Sequence, residues 1–355
     1  MDLSRIDKIR INFIVGPGRS GTTLLVWVIN EHKNCIASPE IKHLLFFYEK
    51  YKDVKVVTAT LIEDYKNHLK LFAENKRFLF GPTNREINLF DELEIGQAIN
   101  YGQLSKLVYL CLMDGKTDPD VINCIVDKNP YYTFYIDRIF QLFPDARVIG
   151  MVRDYRGYIL SNRQSQKPYV KTHSVFYYAN VWNLYINRLL AAKKDYPGKV
   201  EIIRYEDLAA NKEETVERLL VHFGITYSPA LFEFHNSIRT KFEKLPLTTA
   251  QHERAKKKLK DLSSPINPGR VHSWQQQLTK REIRKADTIC GANAVFLGYS
   301  PAAAVSALEK LWFRIASLPA YIRTSAFSLL DSPEMHYRIY MRQVKKARNY
   351  QQKEQ

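Results

Sequence analysis

Residues Ile11 to Asn30 read INFIVGPGRSGTTLLVWVIN, and this stretch constrains the fold more than any other part of the chain. Ile11 to Val15 have the composition of a short buried strand. Gly16-Pro17-Gly18 then turns the chain, and Ser20-Gly21-Thr22-Thr23 opens an apolar run expected to be helical to about Asn30. A strand, a glycine-rich turn and a helix N-terminus together make an anion site, because the first-turn N–H groups lack intrahelical partners and the dipole favours negative charge. The spacing Gly16-x4-Gly21-Thr22-Thr23 is one residue away from the phosphate loop G-x-x-x-x-G-K-[ST]. Thr22 stands where that loop has its lysine, and the cation is Arg19, inside the loop. That shift argues against a magnesium-dependent nucleotide triphosphatase and for a phosphate or sulfate ester bound without a required metal.

Downstream, apolar runs expected as buried strands occur at Cys35–Ser38, Ile122–Val126, Arg147–Val152 and Val200–Arg204. Between and after them lie helical patterns: Tyr132–Phe143, a helix beyond Arg153-Asp154 that carries Ser161 and Arg163, His173–Lys194, and Lys212–Phe223 closed by Gly224. This alternation predicts an α/β, three-layer P-loop-like fold, with a central parallel sheet flanked by helices. Residues 42–118 form a helical insertion rich in aromatics and broken near Gly81-Pro82. Those aromatics suit either part of an acceptor pocket or the insertion's own core. Residues 236–270 carry a basic run, Arg254–Lys260, and are expected to form a mobile segment over the site; helix resumes near Thr279–Phe296. One domain is expected over 1–300, with an amphipathic, basic helical extension over 301–355 packed on it.

Hydrophobic residues make up 45% of the 355-residue chain, enough for a sizeable core and incompatible with disorder. The 53 Lys and Arg against 37 Asp and Glu leave a formal charge of +16, which favours anionic partners without choosing among them. The four cysteines are far apart in sequence and form no C-x-x-C pair, so neither a metal site nor a disulfide framework is expected. With Met1 as the start, ten residues precede the first strand, leaving no room for a signal peptide, and a cytoplasmic setting is expected.

GPGRSGTTLL, followed by a strand-end arginine in VIGMVRDYRGYILS, resembles the sulfotransferase superfamily that uses 3′-phosphoadenosine 5′-phosphosulfate (PAPS) as donor. It is closest in style to the bacterial and tyrosylprotein branch. The resemblance covers roughly Ile11 to Gly298 and rests on four separated segments in the right order. It implies that Gly18, Arg19, Ser20, Gly21, Thr22 and Thr23 grip the 5′-phosphosulfate, with Arg19 neutralising charge on the transferring group. It also implies that Arg153 and, eight positions later, Ser161 hold the 3′-phosphate; the alternative for Arg153 is a structural ion pair with Asp154 or Glu206.

The family's tyrosylprotein branch has a glutamate twenty-one residues beyond the loop arginine, and Glu40 matches it here as general base. His43 is a rival base, and Lys42, two residues past Glu40, is read as a residue orienting base or acceptor. Lys128 in Asp-Lys-Asn-Pro matches a lysine that supports developing charge; a lysine solvated at a strand end is the alternative. Tyr205 resembles the segment near the nucleotide, or packs. Arg270, ahead of Val-His-Ser-Trp274, matches a late-loop phosphate ligand, although this chain departs from the family's R-K-G…W form.

The activity implied is sulfuryl transfer from PAPS to an acceptor hydroxyl, leaving adenosine 3′,5′-bisphosphate (PAP), with no metal. The aromatic insertion and the tail favour a lipophilic acceptor such as a sterol or lipid, with a glycan or peptidyl tyrosine as alternatives. Two other classes remain: a P-loop kinase or nucleotide-binding protein, and a basic module on a membrane surface. The tail suits a solvated face, reversible membrane-surface contact or a homodimer, and no nucleic-acid reader motif is present.

Overall fold

A computed structural model describes residues 2–41, 43–74, 86–111, 121–164, 174–228, 231, 269, 271–330, 332–335, 337–339 and 341–342. After a short helix α1 (Leu3–Lys8), β1 (Arg10–Val15) runs into α2 (Thr22–Ile29) and β2 (Cys35–Pro39). An insertion follows: α3 (His43–Phe46), α4 (Tyr48–Tyr51), α5 (Ala59–Glu74), a 3-10 segment at Glu86–Glu92 and α6 (Tyr101–Leu110). The chain returns through β3 (Cys124–Lys128), a 3-10 turn at Pro130–Tyr135 and α7 (Ile136–Leu142) to β4 (Val148–Val152), α8 (Tyr155–Arg163), α9 (Val175–Asp195) and β5 (Val200–Arg204). Helices α10 (Tyr205–Ala210), α11 (Lys212–Phe223), α12 (Trp274–Gln277), α13 (Lys280–Val295) and α14 (Ala307–Leu330) complete the described elements.

The five strands are parallel and lie in the order β2-β3-β1-β4-β5. Side chains alternate across the sheet, so each strand feeds two cores. Phe13, Val15, Ile125, Val148 and Val152 join the helices of the insertion and α9 on one face. Ile14, Val126, Ile149, Met151 and Ile203 pack with α2 and α11 on the other. Strands β3 and β4 are buried throughout, as a sheet covered on both sides requires. The chain leaves β1 toward one edge and, after β3, crosses to the other. The topological switch point, where parallel α/β sheets receive ligands, therefore falls at the carboxyl ends of the strands beside β1.

Beyond shifts of one or two residues at element ends, two elements differ from the sequence expectation. Strand β3 runs Cys124–Lys128 instead of Ile122–Val126, because the charged pair Asp127-Lys128 stays in register with Phe13 and Ile14 of β1 and with Ser38 and Pro39 of β2. The helix expected over Tyr132–Phe143 is split. Asn129 accepts from Tyr131 N, and Pro130 starts a 3-10 turn that hands over to α7 only at Ile136. Cysteines distant in sequence also meet: Cys35 and Cys124 are register partners on β2 and β3, both buried free thiols.

Many of the insertion's aromatics pack on one another. Tyr51 and Tyr65 stand edge to face at 4.7 Å, Phe47 lies 6.0 Å from Tyr65, and Phe90, Tyr101 and Tyr109 are buried in the same cluster. They form interior, not an open acceptor wall. Phe78, Phe80, the Gly81-Pro82 break and the basic run Arg254–Lys260 lie outside the described residues. Helix α14 packs against α9 and α13. Among the described residues, no helix is long and apolar enough to cross a membrane.

The turn out of β1 depends on Gly16. Its φ is +111°, and a Cβ there would sit 2.1 Å from the Met151 carbonyl oxygen of β4. Gly16→Ala is therefore expected to lose roughly 2–4 kcal/mol through combined strain and overpacking, read as a lower urea midpoint. An unchanged midpoint would mean that β1 and β4 are not held this close.

Candidate active site

Because the sheet is parallel, all five carboxyl ends open on one edge, and each leads directly to a residue singled out by sequence. In strand order these are Glu40 after β2, Lys128 ending β3, the glycine loop after β1, Arg153 after β4 and Tyr205 after β5.

The loop is held from below. Gly16 N donates to Thr133 Oγ1 at 2.8 Å, and that hydroxyl donates to the Pro130 carbonyl at 2.7 Å. Gly21, with φ +82°, is the N-cap residue of α2, and the Tyr205 ring fills the place its Cβ would take, 2.7 Å away. Above the loop, a Cβ on Gly18 would meet nothing within 4 Å. Ser20 is fully buried, and its hydroxyl has no hydrogen-bond partner among the described residues. A buried unpaired hydroxyl beside first-turn N–H groups suits an anion that supplies the missing acceptor.

Arg19 Nε donates to Ser161 Oγ at 3.1 Å, joining the loop cation to the serine from α8. Arg153 is buried with its guanidinium 4.6 Å from the centre of the Tyr205 ring. Gly157, one turn into α8, leaves it room, since a Cβ there would lie 2.8 Å from Arg153 Nε. The carboxylates suggested as ion-pair partners for Arg153 are engaged elsewhere. Asp154 caps α8 and holds Arg156 at 2.6 Å, while Glu206 accepts from Asp154 N at 3.0 Å and from the Tyr299 hydroxyl at 2.6 Å.

On the other side of β1, Lys128 Nζ donates to Glu40 Oε1 at 2.5 Å. The lysine side chain is 2% exposed and the carboxylate 57% exposed, so Lys128 is a buried cation whose partner faces solvent. Glu40 N donates to Lys128 O at 2.7 Å, and the backbone of Glu40 is left-handed, with φ +49°. Arg19, with φ +72°, is the other non-glycine residue in that region among those described. Strain of this kind persists where surrounding structure holds it, and it concentrates at functional sites.

His43 is closed off from solvent. It is fully buried in the insertion, its Nε2 is 3.3 Å from the Ser105 carbonyl, and its ring meets that of Tyr109 at 4.8 Å. Burial pushes its pKa down to about 3, so the imidazole is neutral. Thr22 is buried at the start of α2, and Thr23 follows it. Lys42 and Arg270 lie outside the described residues. Trp274, four residues past Arg270, is buried beside Leu160 and Leu278 and stacks 4.0 Å from the Arg156 guanidinium.

Two supporting residues escaped the sequence reading. Thr133, which carries the loop, has no motif. Asp127 looked like the start of a loop but is fully buried in β3, where Oδ2 accepts from the Tyr109 hydroxyl at 2.6 Å. Burial pushes the Asp127 carboxyl up to about 8; the Tyr109 hydrogen bond and Lys128 pull it down, and Glu40 pushes it further up.

Fold and edge together define an α/β protein whose loop and flanking cations suit an anionic ester. The chain belongs to the sulfotransferase family: residues 12–229, more than half of its length, match the family profile described as Sulfotransferase family. A Caenorhabditis briggsae protein provisionally named a protein-tyrosine sulfotransferase is 25% identical over 180 residues, covering 49% of this chain and 60% of the relative. The nodulation protein NoeE of Sinorhizobium fredii is 22% identical over 308 residues, covering 81% of this chain and 66% of the relative. The chain thus spans about three fifths to two thirds of the length of these relatives. The sulfotransferase domain from the curacin biosynthetic pathway superposes with a TM-score of 0.52 at 17% identity, over 82% of this chain and 98% of that domain, a likeness of fold.

Asp127 makes the pH dependence of stability testable. An unfolded aspartate ionises near about pH 4, so from there to about pH 8 the folded protein keeps a proton that the unfolded chain has lost. Stability then falls as pH rises across that window, by up to about 1.4 kcal/mol per pH unit, and levels off above it. Asp127→Asn keeps an acceptor for Tyr109 and should flatten the decline of urea midpoints over that range. Parallel slopes for variant and wild type would mean that Asp127 is ionised in the folded protein.

Proposed function

We propose that the chain is a PAPS-dependent sulfotransferase acting on a hydroxyl acceptor. The observation that carries this reading is the pair of left-handed, non-glycine residues on either side of the end of β3, Arg19 after β1 and Glu40 after β2, each tied to a second charged or polar residue of the site. The residues present fit the donor. The unpaired Ser20 hydroxyl, the start of α2 and Arg19 suit the 5′-phosphosulfate, while Arg153 and Ser161 suit a 3′-phosphate. Bound there, the donor supplies an activated sulfuryl group whose leaving oxygen belongs to the 5′-phosphate.

Glu40 then acts as the base. As the acceptor oxygen bonds to sulfur and the bond from sulfur to the 5′-phosphate oxygen breaks, the acceptor proton passes to Glu40, and the electron pair stays on the phosphate. Protonation of Glu40 removes the counter-charge of Lys128. The buried ammonium is thereby released toward the developing charge on the sulfuryl and leaving oxygens as that charge appears. Most of the rate enhancement comes from positioning and fixed cations, as in phosphoryl transfer.

The acceptor class favoured is a lipophilic hydroxyl, such as a sterol or lipid, supported by the exposed apolar face of α14. A tyrosyl peptide is the second reading, favoured by the provisional name of the nematode relative. Turnover of radiolabelled donor over sterols, lipids, saccharides and tyrosyl peptides separates them.

In calorimetry, adenosine 3′,5′-bisphosphate should bind and ATP with magnesium should not compete; binding of ATP-magnesium alone would remove the sulfotransferase reading. Arg153→Ala is expected to weaken bisphosphate binding by roughly 10- to 100-fold, the loss of one charge-assisted contact. Glu40→Gln should lower kcat by roughly 10²- to 10⁴-fold while leaving bisphosphate affinity within about twofold. Near-normal turnover in Glu40→Gln would move the base to another group. Arg19→Ala should cost roughly 10²- to 10³-fold in kcat.

A further inference from the structure

Helix α14 is turned the unexpected way round. Its inward face, against α9 and α13, presents Phe313, which meets Phe176 at 6.2 Å, together with Ser317 and Thr324, all buried. The face opposite, an arc of about 120° on a helix of 3.6 residues per turn, carries Leu308, Leu311, Trp312, Ile315, Leu318 and Ile322. Each of these is at least half exposed, from 51% for Ile315 and Leu318 to 82% for Leu308. A continuous apolar stripe three turns and more in length is not ordinary surface; such patches mark a contact.

What lies along the edges of the stripe selects the partner. Arg314 borders one side and Arg323, whose guanidinium lies 5.3 Å from the centre of the Tyr177 ring, borders the other. The single acid of the helix, Glu309, is on the inner side and already accepts from Arg284 Nε at 2.9 Å. A second copy packed on this face would be bordered by the same cations with no carboxylate on the face to answer them, and like-charge borders oppose such pairing. Anionic headgroups answer both. Tyr321, 57% exposed, sits on the cationic border, and Trp312 sits within the arc, both side chains suited to the boundary between headgroups and acyl chains. The chain's formal charge of +16 adds a long-range attraction of the same sign.

We propose that α14 is a membrane-surface docking helix that lies in the interface of an anionic bilayer, with its apolar arc in the acyl boundary and its flanking cations on lipid phosphates. The probe is the full chain sedimented with vesicles of pure phosphatidylcholine or of an equimolar mixture with phosphatidylglycerol. The mixed vesicles should bind it, with Trp312 emission shifting to the blue, and binding should weaken as salt is raised. Leu308→Gln and Ile315→Gln should each lower the bound fraction by about fivefold or more, and Arg314→Gln by about fivefold.

Thermal melts keep the test sound. These side chains point to solvent, so the variants should melt with the wild type, and if Ile315→Gln does not, the more exposed Leu308→Gln decides. Absence of binding to mixed vesicles overturns the proposal, and so does binding that survives both apolar substitutions, which would assign it to charge elsewhere on the chain. Equal binding to neutral vesicles overturns the anionic part. A dimer seen by light scattering and dispersed by Ile315→Gln would give the face to a second copy instead. No donor or acceptor enters the experiment, so its outcome is independent of the sulfotransferase reading.

Discussion

The backbone of Gly16 lies against the backbone of β4, and much of the site depends on that approach. A parallel sheet can present an anion at the end of its central strand only if the chain leaves the strand at once and re-enters a helix pointing back at the ligand. Here the turn takes six residues, from Gly16 to Gly21, with left-handed backbone at Gly16, Arg19 and Gly21. Side chains from three other segments hold it: Thr133 on the Gly16 amide, Tyr205 beneath Gly21, and Ser161 on the Arg19 guanidinium. A loop so constrained loses little freedom on meeting a ligand, and that is the condition for electrostatic stabilisation without reorganisation.

The cations of the edge are held in different ways, and the difference separates scaffold from site. Arg156 is buried, grips Asp154 through two nitrogens, approaches Asp287 and stacks on Trp274; its charge is consumed in joining α8 to α12 and α13. Arg153 instead lies with its guanidinium over the Tyr205 ring, in the room left by the missing side chain at Gly157. Lys128 is intermediate. Its carboxylate partner among the described residues, Glu40, is more than half exposed, so the pair couples a buried charge to a group that can meet substrate. Neutralising Glu40 is therefore felt directly by Lys128, and Asp127 on the adjacent position of β3 feels both.

Much of this was legible in the sequence, because the glycine loop and the apolar strands are local signals. The loop's spacing, the strand ends at Glu40 and Arg153, and the helix Lys212–Phe223 with its Gly224 stop all depend on nearest neighbours in the chain. What could not be read depends on partners far away. The strand status of Asp127 and Lys128 comes from ladders with β1 and β2, which override the usual meaning of a charged pair after an apolar run. The burial of His43 comes from α6, some sixty residues on, and nothing in its immediate sequence distinguishes it from an exposed imidazole close to Pro39-Glu40. Thr133 matters only because a 3-10 turn after Pro130 swings its hydroxyl under the loop.

Helix α14 shows the same limit from another side. Hydrophobic periodicity tells which residues of a helix share a face but not which way that face points, and the usual assumption turns the apolar stripe inward. In α14 the inner face needs little hydrophobicity. Phe313 fills one gap, and the hydroxyls of Ser317 and Thr324 are satisfied on carbonyls of their own helix, from Arg314 and Tyr321. Small polar residues let the helix sit close to α9 and α13, leaving the larger apolar set to face outward. An orientation that leaves the better hydrophobic surface to solvent is unfavourable unless a further contact, beyond those the described residues make, covers it.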